Sequence, residues 1–383
     1  MDAHPSHFAQ IYSVYAHVPF CFHKCHYCDF YSLAEPRGDA SRHQPFARAL
    51  LGELGALSES YRLEPTTVFV GGGTPTLMGA DVWSSLLYDL QSLLDRSKLQ
   101  EFTVEANPET VTEDLASVLV DGGVDRFSLG AQSFQPDLLK ALERWHDPAS
   151  VGRSVGILRK AGVSRLNLDM IFAIPGQTLE DLDRDLEAVL ALEPDHVSCY
   201  GLTYEPNTPL TTKLRLGRVD RADEELERAM YERVMERLGA AGFEHYEISN
   251  WARPGQRCLH NMAYWENRDW LGVGPSAASH VGGRRWKNEA HLGRYLEGCP
   301  EPPVVDVEEL NAAQRRGEQL MLRLRLIEGA PLPWLDALLP DGDWRWGEIK
   351  MLISMGLLER TGTHVRLTRA GLFVGDDVVA RLL

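Results

Sequence analysis

Tyr15-Ala16-His17-Val18-Pro19-Phe20-Cys21-Phe22-His23-Lys24-Cys25-His26-Tyr27-Cys28-Asp29-Phe30 couples a strand to a tight cysteine triplet. The run Tyr12 to Val18 is β-branched and aromatic, and Pro19 ends it. The triplet follows at once with the spacing Cys21-x3-Cys25-x2-Cys28. Three of the six cysteines are spent here, while Cys199, Cys258 and Cys299 are scattered. Thiolates are soft ligands suited to zinc or to iron–sulfur clusters. Structural zinc takes four protein ligands. A four-iron cluster held by three thiolates keeps one iron open to a small molecule. The residues alone leave three readings: an open cluster, zinc completed by His23 or His26, or chance clustering of buried cysteines.

Further short apolar runs follow downstream. They are Thr66–Val70, ending in Gly71-Gly72-Gly73; Phe102–Glu105, ending at Asn107-Pro108; Phe127–Gly130; Leu166–Phe172, ending at Pro175-Gly176; and His196–Leu202. Between them lie segments with apolar residues at three- and four-residue spacing: Ala47–Leu57, Val82–Leu94, Glu113–Leu119, Val151–Ala161 and Leu179–Leu190. Leu226, Met230, Val234 and Leu238 make another helical stripe. Six alternations of strand and helix predict a parallel sheet with crossover helices, open or barrel-like. Chemistry in such folds collects at the carboxyl ends of the strands. Those ends hold the cysteines, the triple glycine, Glu105, Gln132-Ser133 and Asp169.

Residues 243–282 change character and are rich in Trp, Tyr, Asn, Gly and His. Cys299–Val305 carries three prolines and reads as a linker. The tail, with helical segments and then a short hairpin around Val365–Thr368, suggests a winged-helix-like domain. The expected division is 1–242, 243–300 and 306–383.

The composition narrows the function. The chain has 383 residues, with 55 Asp and Glu against 39 Lys and Arg, a formal charge of −16. Such a surface repels phosphate backbones, so general nucleic-acid binding is a poor reading. A hydrophobic share of 44% and a charged share of 25% describe an ordinary folded protein. No apolar run approaches the ~18 residues of a membrane span. Met1–Gln10 has no Lys or Arg and does not read as a signal peptide. A cytoplasmic location without disulfides is expected.

The triplet spacing resembles the signature of the radical S-adenosylmethionine (radical SAM) superfamily. Tyr15-x-His17-Val18-Pro19-Phe20-Cys21, Gly71-Gly72-Gly73-Thr74-Pro75-Thr76, Glu105-x-Asn107-Pro108, Ser128-Leu129-Gly130-Ala131-Gln132-Ser133, Arg144-x-His146 and Asn167-x-Asp169-Met170-Ile171 follow in order. This set resembles the oxygen-independent coproporphyrinogen III oxidase family and its relatives, the HemW heme chaperones, over roughly residues 11–300 and more loosely in the tail. The resemblance implies an α/β fold, a partial (β/α)6 barrel with a small C-terminal α+β winged-helix-like domain. The oxidases carry a fourth cysteine two residues after the third, where this chain has Phe30. They also carry a long extension before the cysteines, whereas twenty residues precede Cys21 here. The HemW group lacks the fourth cysteine and carries H-N-x-x-Y-W, which His260-Asn261-Met262-Ala263-Tyr264-Trp265 matches.

By that resemblance, Cys21, Cys25 and Cys28 hold three irons of a 4Fe-4S cluster, and SAM takes the fourth. Tyr15 and Tyr27 lie beside them, and Gly72, Gly73 and Thr74 meet the SAM amino group. Glu105, Gln132, Arg144 and Asp169 are the polar SAM contacts, with Gly201 near the adenine. Heme contacts fall on His260, Asn261, Tyr264 and Trp265, and no catalytic side chain is assigned. Arg253, Arg257 and Arg268 are candidates to pair with propionates. As isolated residues these read differently. Glu105 and Asp169 suit helix caps or solvated acids, the glycines a tight turn, and the hexapeptide plain packing. Two functions are implied. One is a chaperone that passes heme to hemoproteins such as respiratory enzymes. The other is an oxidase that turns two propionates into vinyl groups through a 5′-deoxyadenosyl radical. The first admits a homodimer and a peripheral membrane contact.

Overall fold

The computed structural model describes residues 9–36 and 38–383. The reading of Met1–Phe8 as no signal peptide lies outside the described residues. All six expected strands form: β1 Ser13–Val18, β2 Thr67–Gly72, β3 Glu101–Ala106, β4 Arg126–Gln132, β5 Arg165–Phe172 and β6 His196–Gly201. They are parallel and lie side by side in chain order. The connecting helices are α1 His43–Ser58, α2 Ala80–Leu93, α3 Glu113–Asp121, α4 Pro136–Ala141, α5 Pro148–Lys160 and α6 Leu179–Ala191. After β6 come α7 Pro209–Arg215 and α8 Glu224–Ala240.

Local chemistry sets the helix starts. Thr112 caps α3 and Asp147 caps α5, and Thr178 with Asp181 forms a full capping box on α6. The strands then sort their residues with a period of two. Val14, Val68, Val70, Phe102, Val104, Phe127, Leu129, Leu166 and Leu168 join the helices in one main core. The alternate residues of the same strands include Tyr15, Phe69, Thr103, Glu105, Ser128, Asn167, Asp169 and Ser198. Ser128, Asn167, Asp169 and Ser198 bond to one another there.

Both edges of this sheet are extended. Strands β7 Glu244–Glu247 and β8 Asn250–Ala252 add beyond β6. The short helix α9 Leu259–Trp265 then leads to β9 Trp270–Val273, which pairs parallel to β1. Strands β10 Ala278–Val281, β11 Arg284–Asn288 and β12 Val304–Glu309 continue antiparallel, giving twelve strands. Helix α10 Leu292–Gly298 lies between β11 and β12. The linker reading of Cys299–Val305 is corrected here: Val304 and Val305 already pair with β11. β12 is exposed along its whole length. Backbone hydrogen bonds hold it, so no apolar alternation marks it in the sequence.

The tail has its own core, built on Leu320, Leu324, Leu335, Ile349, Leu352, Val365 and Leu382. Helices α11 Ala312–Leu324, α12 Leu332–Leu338 and α13 Arg345–Ser354 surround it. β13 Ala330–Pro331, β14 Leu358–Arg360 and β15 His364–Leu367 form a small antiparallel sheet in the order β13-β15-β14. Three helices and a hairpin of this kind make the expected winged-helix-like unit. Among the described residues no helix is long and apolar enough to cross a membrane.

Candidate functional site

The triple glycine at the end of β2 is a close three-way crossing. A Cβ on Gly71 would stand 2.7 Å from the Glu105 carboxyl group. One on Gly73 would stand 2.6 Å from the Phe20 carbonyl oxygen. Gly72 has φ +100°, and a Cβ there would come within 2.4 Å of the His17 ring. Only glycine meets all three demands. The Gly72 N–H donates to Glu105 Oε2 at 2.9 Å, which fixes the turn.

Around this turn lie two cavities, of about 480 and 450 Å³, that share Tyr27, Cys28, Gly72, Gly73, Thr74 and Arg144. The first is also lined by Cys21 and Cys25. Thr74 Oγ1 donates to Cys21 Sγ at 3.5 Å, and Arg144 reaches Cys25 Sγ at 3.6 Å. Burial raises the Cys21 thiol and pushes Cys28 up to about 11. A bound cation is what deprotonates such thiols. Among the described residues, one His/Cys/Asp/Glu trio has its ligand atoms all within 4.8 Å of one another, and it is not the three thiols. Three soft ligands around one cavity, with a guanidinium beside them, fit a multi-iron cluster.

The second cavity gathers the remaining expected SAM contacts. Glu105, Gln132, Asp169 and Gly201 all line it. Burial, and then the neighbouring Asp169, raise Glu105 to about 7. Burial also raises Asp169, against hydrogen bonds from Ser128 Oγ at 3.0 Å and Asn167 Nδ2 at 2.8 Å. Arg144 donates to the Gly130 carbonyl at 2.9 Å and to His146 Nδ1 at 3.3 Å. It is half-buried, and the phenol and thiol groups around it favour its charged form. Two facing acids and a fixed guanidinium suit a ligand with hydroxyl donors at one end and a carboxylate at the other.

Tyr15 is placed elsewhere. It lies below the cavities, its hydroxyl on His17 Nδ1 at 3.1 Å and its ring beside Phe69 and His260. It lines neither cavity and meets the Gly72 turn through His17.

The H-N-x-x-Y-W segment forms α9, which packs on the opening residues of β2 and β3, the far end from the cysteines. Glu101 accepts the backbone N–H of Leu259 at 2.9 Å and of His260 at 3.1 Å. His260 is 1% exposed. Its Nδ1 pairs with Thr67 Oγ1 at 2.8 Å and its Nε2 with Tyr264 Oη at 3.0 Å, while its ring stacks on Phe69. Burial lowers it to about 3. The expected iron ligand thus has both nitrogens engaged in this conformation. Tyr264 packs edge-on against Trp270, Asn261 is half-buried, and Arg325 lies over the Trp265 ring at 4.5 Å. The three arginines form no propionate patch around His260. Arg253 covers Phe243 and Arg257 covers Tyr246, while Arg268 covers Tyr12 and pairs with Glu266. Arg268 does line a groove of about 480 Å³ with Trp265, Arg323 and Trp334, between α9 and the winged-helix-like unit.

Sequence reading missed Asp185 of α6. It accepts from Ser133 Oγ at 2.7 Å and from the Phe134 N–H at 2.7 Å, and so pins the turn after Gln132, whose φ is +62°. A buried acid on an otherwise regular amphipathic helix was the available signal. Phe22, Phe30, Trp145 and Tyr200 were also missed as the exposed rim of the cavities.

The chain matches the radical SAM superfamily over residues 15–189 and the HemN C-terminal domain over residues 310–374. It is 35% identical to the heme chaperone HemW of Mycobacterium tuberculosis, over 98% of this chain and 95% of that protein. The HemW of Lactococcus lactis is 34% identical, with 97% of each chain covered. That of Bacillus subtilis is 33% identical over 97% and 99%. Coproporphyrinogen III oxidase from Escherichia coli, a solved structure, superposes with a TM-score of 0.84 over 98% of this chain and 91% of that one. The identity is 19%, so that likeness is one of fold.

Proposed function

We propose a function from one premise: the chain belongs to the HemW family of radical SAM proteins. It acts as a heme chaperone, binding heme and passing it to hemoproteins such as respiratory enzymes. The observation that carries this is the full-length kinship with proteins named heme chaperones, set against a likeness of fold alone to the oxidase. Phe30 supports it. It stands 60% exposed at the cavity mouth, where the oxidases have a cysteine.

Cys21, Cys25 and Cys28 would hold the cluster, with SAM beside the glycine turn. When bound, the pair supplies one-electron chemistry. The protein's own part is positional. Arg144 holds positive charge between the two cavities, and Glu105 and Asp169 present acceptors to hydroxyl groups. Heme meets α9 from its Trp265 end, which borders the groove with Trp334, Arg268 and Arg323. Indole faces suit a porphyrin, and Arg268 and Arg323 would turn from Glu266 and Glu328 to meet propionates. His260 reaches iron only when α9 leaves the barrel floor, because both ring nitrogens are otherwise engaged.

Heme titration of the anaerobic, cluster-loaded protein tests the reading, followed by mixing with apomyoglobin. The expected result is one heme per chain and its transfer to the apoprotein. A chain that takes up no heme refutes the chaperone reading. Vinyl product formed from coproporphyrinogen as SAM is consumed would establish the oxidase instead. The spectrum of heme-loaded His260→Ala reports the ligand: an unchanged Soret band means that His260 does not bind the iron.

A further inference from the structure

The cysteine loop carries two histidines that the cluster does not use. His23 and His26 flank Cys25, and their ligand atoms, with one from Glu143, lie within 4.8 Å of one another. His26 Nδ1 is 3.8 Å from Glu143 Oε1. His23 Nε2 and His26 Nδ1 are both buried atoms without a hydrogen-bond partner. Unpaired buried imidazole nitrogens are costly, and a shared ligand accounts for both.

Each side chain is held in place. His23 stacks on Trp145 with the ring centroids 4.4 Å apart. The His26 carbonyl accepts from the Leu210 N–H at 2.9 Å, which ties the loop to α7. Glu143 follows α4 at φ +53°, a helix-ending position that favours glycine. The backbone strain of a glutamate there costs about 1 kcal/mol or more. That conformation points its carboxylate at His26. Among the described residues Lys213 Nζ also reaches Glu143 Oε1, at 3.2 Å, and competes for it.

We propose that His23, His26 and Glu143 bind one divalent transition-metal ion, separate from the cysteine site. Two imidazoles and a carboxylate with open positions form a donor set that suits zinc, ferrous iron or cobalt. Its ligands come from two segments, the cysteine loop and the turn that carries Arg144, and the ion ties them together.

The test is equilibrium dialysis of cluster-loaded protein against zinc, with metal counted by elemental analysis. One zinc per chain is expected beyond the cluster irons. His26→Gln and Glu143→Gln should each weaken binding at least about tenfold while the iron content stays unchanged. Lys213→Met removes the competing cation and should tighten binding severalfold, a gain that a misfolded variant cannot give. Zinc binding that is unchanged in His26→Gln and Glu143→Gln overturns the site. So does zinc binding that vanishes once the cluster is loaded, since the cysteines were then the ligands. A Lys213→Met variant that binds no more tightly than the parent overturns the role of Glu143.

Discussion

Gly72 and Glu105 show how much one residue decides. Gly72 combines φ +100° with the His17 ring 2.4 Å from where a Cβ would sit. Gly72→Ala should cost at least about 2 kcal/mol and abolish SAM binding, as urea melts and calorimetry would show. Glu105 carries a pH signature. Its carboxyl is raised to about 7, against 4.5 when unfolded, so the fold prefers the neutral form. That contribution is complete below pH 4.5 and is lost as pH rises through about 7. Over that range it amounts to about 3 kcal/mol at most. Glu105→Gln should therefore gain on the parent protein, without ligand, between pH 5 and pH 8. Equal stability differences at the two pH values would show that Glu105 is not the group responsible. The glycine run was legible as a close approach, but its three neighbours were not, since each comes from a different strand or loop. Glu105 and Asp169, taken alone, read as ordinary acids. Their period-two placement with Thr103 and Asn167 was the better signal. Parallel strands covered on both faces are normally apolar on both, so polar alternation implies a lined interior.

Among the elements, α9 is the one whose role the structure changes most. It is seven residues long, too short to be stable alone. Glu101 caps its first turn, Thr67 holds His260, and Phe69 takes the imidazole face. The helix works as a floor for the barrel. His260→Ala leaves a cavity, unpairs the Tyr264 hydroxyl and leaves the Thr67 hydroxyl with Ser13 alone. It should cost about 2–4 kcal/mol in thermal or urea unfolding, whatever it does to heme. Stability within about 0.5 kcal/mol of the parent would mean that the helix is already loose. The hexapeptide was visible in the sequence, and so were the six strands and their helices. Its location was not, because 158 residues separate Glu101 from Leu259 and no local pattern reports such a pairing. The edge strands were hidden for the opposite reason. β12 buries nothing, so it leaves no hydrophobic trace.

At the scale of the whole molecule, the barrel and the winged-helix-like unit have separate cores but a continuous seam. Ile248 N–H donates to the Arg325 carbonyl, Ile327 N–H to that of Tyr246, and Arg325 lies on Trp265. The tail is closed by one buried cation. Arg345 is 2% exposed. It pairs with Asp343 at 3.2 Å and donates to the carbonyls of Ala313, Leu382 and Leu383 at 2.9, 2.7 and 3.0 Å. The chain end is thereby fastened to the start of α11. Arg345→Ala takes one partner from three carbonyls and leaves the Asp343 carboxylate to Arg316 alone, at about 2–3 kcal/mol. Ion pairs at the surface cost far less when broken. The loss falls on the smaller core alone, since no residue of the barrel touches Arg345 through a hydrogen bond among the described residues. Differential scanning calorimetry should therefore show the tail melting first, as an early transition, with the barrel transition near its original temperature. A single transition shifted as a whole would mean that the seam at Ile248 and Trp265 makes the two cores one cooperative unit.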